Sequence, residues 1–237
     1  MDVGREPKSR GKWSEEPRQL DESFYDRSPA IVARELIGCG FARRVDGEWL
    51  GGWIVETEAY LSRRDAASHS ARGMTPGNAS MFGPPGTLYV YPIHAKHCVN
   101  LVTEGHGVGS AVLIRAIEPV WGVQRLMTNR RQTDFSDRTK TQLTTGPGRL
   151  CQAMQIDRRC DGKLPQKDAN WQVFQKVPVA ANRISKTARI GVSQSAERKL
   201  RFFLDGNRFV SGLARQHRRP RRDSIEAEFG TLPFPFG

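Results

Sequence analysis

GFARRVDGEWLGGWIVETEAY, residues 40–60, is the stretch on which the fold turns. Two runs of strand-forming residues flank Asp46-Gly47, a dipeptide that tolerates the positive φ angles of a tight turn, so the segment reads as a β-hairpin. In its second arm the strand period of two puts Glu56, Glu58 and Tyr60 on one face and Val55, Thr57 and Ala59 on the other. An acid and an aromatic ring thereby share a surface. A strand whose polar side simply faces water shows the same alternation, so this segment alone assigns no chemistry.

Upstream, Ser28-Pro29 and AIVARELIG supply an N-cap, a proline at the first helical position and a terminating Gly38, which predicts a short helix. Downstream, a Gly/Pro/Asn-rich loop from Arg72 to Gly86 leads into TLYVYPI, HCVNLV and SAVLIRAIEP, three strand-like runs whose close spacing predicts antiparallel pairing. PVWGVQRLMTN and GRLCQAMQI carry helical apolar spacing, while ARIGVSQ and LRFFLD read as late strands. The expected fold class is α+β, a single domain in which helices surround an antiparallel sheet. Residues 1–25 are polar and aperiodic, which predicts a disordered or loosely attached leader. Residues 26–213 form the expected domain, and 214–237, with RQHRRPRRD and a Pro/Phe-rich end, a basic tail.

With 237 residues, 38% of them apolar and 26% charged, the chain can bury one core. Its 37 Lys and Arg outnumber 25 Asp and Glu, and the formal charge of +12 favours a polyanionic partner, because cations that neutralise phosphates release counterions. DNA, ribosomal RNA and an anionic membrane surface all fit that balance, as does a basic enzyme of another kind. Cys39, Cys98, Cys151 and Cys160 show no CxxC spacing and follow no signal peptide, which argues against a secreted disulfide scaffold and for a cytoplasmic location. No apolar run approaches the ~20 residues of a membrane helix.

Arg115 sits inside the otherwise apolar SAVLIRAIEP, and a buried guanidinium costs several kcal/mol unless paired. It therefore needs a carboxylate. Glu58 is one candidate, and an adjacent arginine would keep it ionised as a water-activating base must be. Glu118, just beyond the same strand, is the competing partner. Thr87, Tyr89 and Tyr91 share a face of TLYVYPI, and Asn100 is embedded among apolar residues of CVNLV. Those rings and polar groups either line a core edge with their hydrogen bonds satisfied or furnish a nucleobase pocket. His94, His97 and Cys98 form an HxxHC cluster, yet no second ligand pair stands at zinc spacing, so no metal is expected. The glycines of GPPGTLY and TTGPGRL serve tight turns or phosphate approach equally well.

Taken in order, LIGCGFARR, IVETEAYL, DAASHSARG, GPPGTLYVY, SAVLIRAIEP and TTGPGRLCQAM resemble the alkyladenine (3-methyladenine) DNA glycosylase family, over roughly Asp26 to Ser211. The resemblance implies a curved antiparallel sheet with a protruding β-hairpin that enters the minor groove of double-stranded DNA. It implies that Glu58 is the general base, with Arg115 and the backbone carbonyl of Ile190 helping to hold the nucleophilic water. By the same match Tyr60, His69 and Tyr91 sandwich a flipped purine, His69 also bonding its edge, and Asn100 clashes with the amino group of guanine. The implied substrates are 3-methyladenine, 7-methylguanine, hypoxanthine and ethenoadenine, excised by a monomer with no Schiff base and no cofactor. At the hairpin tip the family usually carries a tyrosine wedge; this chain has His94, a smaller and less apolar ring, with Lys96 and His97 beside it. Two rivals stand: a non-catalytic nucleic-acid-binding protein of the same fold, and a metalloenzyme built on His94, His97 and Cys98.

Overall fold

In this computed structural model the described residues are 17–134, 136–175, 179–213, 216–217, 223–226 and 234–236. Among them nine strands form an antiparallel sheet: β1 (Arg18–Gln19), β2 (Gly40–Val45), β3 (Glu48–Tyr60), β4 (Leu88–Ile93), β5 (Lys96–Thr103), β6 (Ser110–Trp121), β7 (Trp171–Gln175), β8 (Ile184–Thr187) and β9 (Arg201–Leu204). Five short helices accompany it: α1 (Glu22–Tyr25), α2 (Pro29–Glu35), α3 (Val123–Asn129), α4 (Asp137–Gln142) and α5 (Pro147–Ala153). The sheet runs β1-β7-β2-β3-β6-β5-β4, with β9 added to β3 and β8 to β9. The class is therefore mixed α and β with a large antiparallel sheet.

The opening hairpin is β2 and β3, paired from Gly40↔Trp53 to Val45↔Glu48. β3 is long enough to serve two partners on one edge, β2 through its first half and β9 through Glu56–Glu58, while β6 follows it on the other edge. That double use requires a kink. The β3–β6 register shifts on both sides of Glu56, leaving Val55 and Arg115 without Cα partners, the mark of a bulge that re-aims side chains.

The two faces of β3 have different fates. Val55 and Ala59 join the main core, and Thr57 Oγ1 donates to the Ala33 carbonyl of α2 at 2.7 Å, so α2 covers the face turned away from Glu58. On the other face a smaller apolar cluster of Met81, Tyr89, Val102 and Ala111, with Tyr60 and Tyr91 packed against it, floors a cleft. β4 and β5 form a two-residue-loop hairpin whose tip, Pro92–Lys96, is exposed. His94 turns the corner at φ 50°, an uncommon backbone for a residue other than glycine.

Several elements depart from the sequence reading. ARIGVSQ is an irregular segment following β8, because Gly191 takes φ 79° and the chain there turns inward to the site. β7 and α4 were not expected; α4 is polar and exposed and shows no apolar period. The segment 17–25, inside the expected leader, adds β1 to β7 and buries Leu20 and Tyr25; residues 1–16 lie outside the described residues. From the expected tail, Ile225 is buried and Phe234 stacks on Trp49 with ring centroids 4.4 Å apart; the basic run 218–222 lies outside the described residues.

Gly51 and Gly52 let β3 approach its neighbours. A Cβ at Gly52 would stand 1.8 Å from the Glu118 carbonyl oxygen and one at Gly51 2.2 Å from that of Phe41. Backbone cannot yield as a side-chain tip can. Gly52→Ala is therefore expected to destabilise the fold by about 2 kcal/mol or more, read as a lowered urea midpoint; an unchanged midpoint would contradict the close approach.

Candidate active site

The cleft above the smaller apolar cluster has a volume of about 910 Å³ and is lined by Tyr60, His69, Tyr89, Tyr91, Arg115 and Ile190 among others. Lateral pairing across the sheet explains this gathering. Glu58, Leu113, Asn100 and Tyr89 are consecutive cross-strand partners, so residues far apart in sequence share one face.

Glu58 is fully buried behind the cleft wall, against Tyr60, Arg115 and Ile190, which line it. Its Oε2 accepts from the Tyr60 hydroxyl at 2.9 Å and pairs with Arg115 Nη1 at 3.2 Å, and its Oε1 accepts from the Ile190 backbone N–H at 2.7 Å. Two hydrogen bonds and one ion pair leave lone-pair capacity on the carboxylate free. Burial pushes the Glu58 carboxyl above the ordinary glutamate value, and neighbouring Glu56 adds to it; Arg115, the Ile190 N–H and Tyr60 oppose the shift without cancelling it.

Arg115 has more than one carboxylate. Its Nε donates to Glu56 Oε1 at 3.0 Å and its Nη2 to Ser211 Oγ at 3.3 Å, while Nη1 faces Glu58. Glu118 is not a partner: it accepts from Asn207 Nδ2 and from the Ile225 and Glu226 backbone, each at 2.7 Å. Glu56 also accepts from Arg201 Nε at 2.6 Å and from the Ser211 N–H at 2.8 Å. Burial alone would raise the Glu56 carboxyl, but Arg115, Arg201 and these hydrogen bonds together bring it down to about 2.

Around the cleft mouth, His69 Nδ1 lies 2.7 Å from the Tyr89 hydroxyl, and its ring meets that of Tyr91 edge-on at 4.4 Å between centroids. Burial lowers the imidazole below its ordinary value, which favours the neutral ring, and pushes the Tyr89 phenol up to about 12. Asn100 is buried in β5, its Nδ2 donating to the Tyr89 carbonyl at 2.9 Å, and it does not line the cleft. His94 is exposed at the hairpin tip, and its neighbour Ile93, 43% exposed, lines the rim. Among the described residues no three His, Cys, Asp or Glu side chains gather to hold a metal ion.

Sequence reasoning passed over a second buried pair. Arg189 grips Asp65 bidentately at 2.6 and 2.7 Å, donates to the Ala59 carbonyl at 3.0 Å and stacks over Tyr60 at 4.6 Å. This ties the segment carrying Ile190 to β3 and to the start of the loop bearing His69. Both residues lie in irregular segments 124 positions apart, where no periodicity marks them. Arg201 was findable, since it opens the apolar LRFFL just as Arg115 interrupts SAVLI.

Comparison with known proteins identifies the family. Residues 23–208 match the methylpurine-DNA glycosylase (MPG) family. A Rhodopirellula baltica protein with the provisional name 3-methyladenine DNA glycosylase is 65% identical over 208 residues, covering 88% of this chain and 89% of its own. Proteins of the same provisional name from Koribacter versatilis and Methanoculleus marisnigri are 41% and 43% identical, each over 81% of this chain and 93% and 98% of their own. The chain thus falls within the DNA glycosylases. This chain belongs to the methylpurine-DNA glycosylase family.

Because Glu56 titrates far below an unfolded glutamate, it contributes stability above the ordinary glutamate value of 4.5 that is lost as pH falls towards about 2. Glu56→Gln, which leaves Arg201 short of its charge, should cost about 3–5 kcal/mol at neutral pH and flatten that acid limb in urea titrations. Asp65→Asn should likewise destabilise, and should slow the reaction proposed below, because Ile190 loses its anchor; wild-type stability and rate together would refute the link.

Proposed function

We propose that this chain is a monofunctional DNA glycosylase that acts as a monomer in the cytoplasm, excising alkylated or deaminated purines from duplex DNA and leaving an abasic site. The observation that carries this reading is Glu58, buried behind an aromatic-lined cleft of about 910 Å³ and held by Tyr60, Arg115 and Ile190. A cleft of that size admits a flipped purine, and rings at its mouth offer stacking faces.

In the proposed step a water at the free lone pair of Glu58 attacks C1′ of the flipped nucleotide. Glu58 takes the water proton, the C1′–N bond breaks and its electron pair leaves with the purine. The Ile190 carbonyl and Arg115 help to position that water. Glu58's raised proton affinity suits it to accept the proton, while Arg115 keeps an ionised fraction available near neutral pH. The carboxylate supplies the base, so the chemistry calls for neither metal nor nucleotide cofactor.

Tyr60, His69 and Tyr91 would bracket the base. A Tyr89 hydroxyl that donates to His69 Nδ1 leaves the proton on Nε2, free to donate to an acceptor on the base edge. The exposed β4–β5 tip would enter the minor groove, His94 taking the vacated stack beside Ile93. Alkylated or mispaired purines are favoured because they cost less to flip and, when alkylated, leave more readily.

Single-turnover excision from duplexes carrying hypoxanthine or ethenoadenine tests the mechanism. Glu58→Gln should lose at least about 100-fold in rate with duplex binding retained. Since the base must be ionised and its proton affinity is raised, the wild-type rate should start to fall on acidification at a pH above the ordinary glutamate value of 4.5. Full activity of Glu58→Gln would refute the assignment.

A further inference from the structure

A second cleft, about 820 Å³ in volume, opens on the other side of Arg115. It is lined by Arg138 of α4, Arg149 of α5, Arg208 just past β9 and Arg115 itself, and the one carboxylate in its wall is Asp137. Four elements thus bring guanidinium groups to one hollow; with Arg115 balanced by Glu56 and Glu58, three cations stand there against one anion.

The charges there are poorly compensated. Asp137 is committed to Arg208, Oδ1 to Nη2 at 3.2 Å. The Arg208 Nε is nonetheless buried with no hydrogen-bond partner among the described residues. Arg149 adds a repulsion, since its charge works with burial to lower the proton affinity of Arg130 nearby. Among the described residues neither Arg138 nor Arg149 pairs with a carboxylate. A fold gains nothing by gathering unpaired guanidinium groups around a buried donor; a polyanion seated there supplies the missing countercharge.

The position specifies the anion. Arg115 lines this cleft and the base cleft, and the Gly146–Pro147 turn contributes one residue to each, so the two hollows meet at the arginine beside Glu58. A nucleotide whose base occupies one hollow places its backbone within one side chain's length of the other. We propose that the arginine cleft is a phosphodiester site that holds the backbone of the damaged strand next to the flipped nucleotide. Arg138, Arg149 and Arg208 are its ligands, while Arg115, committed to both glutamates, closes its inner end. This rests on the glycosylase reading above and extends it to a strand-binding site outside the base pocket and the hairpin.

The test separates the two. Arg138→Ala, Arg149→Ala and Arg208→Ala are combined in one variant, with Arg34→Ala on the exposed side of α2 compared against Arg149→Ala as a charge-matched control. Binding to an undamaged duplex is measured across a salt series, without recourse to excision. The triple variant should bind at least tenfold more weakly, and its slope of log Kd against log salt should be shallower by about 2–3, near 0.9 for each phosphate no longer neutralised. Arg34→Ala should leave both unchanged. Uncharged methylphosphonates placed singly at each linkage within three nucleotides of the lesion then locate the site: at least one should weaken the wild type and not the triple variant. A wild-type affinity and salt slope in the triple variant, or methylphosphonate effects that persist unchanged in it, would overturn the proposal even if excision proceeds. Should excision itself be absent while the slope and linkage results hold, the phosphate site stands and the catalytic reading fails.

Discussion

One guanidinium organises the site. Arg115 faces Glu56 through Nε, Glu58 through Nη1 and Ser211 through Nη2, so the orientation of one planar group fixes two carboxylates and a turn. With Arg201 the group is two cations and two anions, a balance that a buried cluster needs if its desolvation cost is to be met by mutual attraction. The sharing is unequal. Glu56 has two arginines and two bonds from Ser211 and is held low, whereas Glu58 has a share of one arginine and is held high. Two glutamates two residues apart are thereby divided into a fixed anion and a carboxyl of raised proton affinity.

The bulge in β3 makes this division geometrically feasible. A regular ladder would seat Arg115 opposite a single β3 residue, whereas register shifts on both sides of Glu56 leave Arg115 unpaired and free to lie between the two acids. Gly51 and Gly52 bring the same strand close to β2 and β6, and the α2 side of the sheet carries the main core. The buried polar cluster and the hydrophobic core therefore occupy opposite faces of one strand.

Support reaches the site from a distance through Asp65 and Arg189. Their bidentate pair orders the segment that presents Ile190 to Glu58, and Arg189 also covers Tyr60, so base, ring and backbone donor are set by one contact. On the far side of Arg115 the arginine cleft continues the positive surface that a net charge of +12 foreshadows. Composition shows how much charge there is; only folding shows that part of it gathers beside Arg115.

What the sequence determined by itself was local: the β2–β3 hairpin from its Asp-Gly turn, the alternation that puts Glu58 and Tyr60 on one face, and the need of Arg115 for a carboxylate. Each follows from backbone period or from the cost of a lone buried charge, and none depends on where a distant segment lies. The resemblance to the family implies roles for Ile190, His69, Tyr91 and Asn100 that no periodicity carries. Tertiary structure decided which carboxylates Arg115 serves, that Glu118 instead anchors the chain near Ile225, that Asp65 meets Arg189, and that Ile190 presents its N–H to Glu58. Those outcomes depend on a bulge and on loops that close over more than a hundred residues, and pairing energies at that range arise only once the sheet has fixed who is near whom.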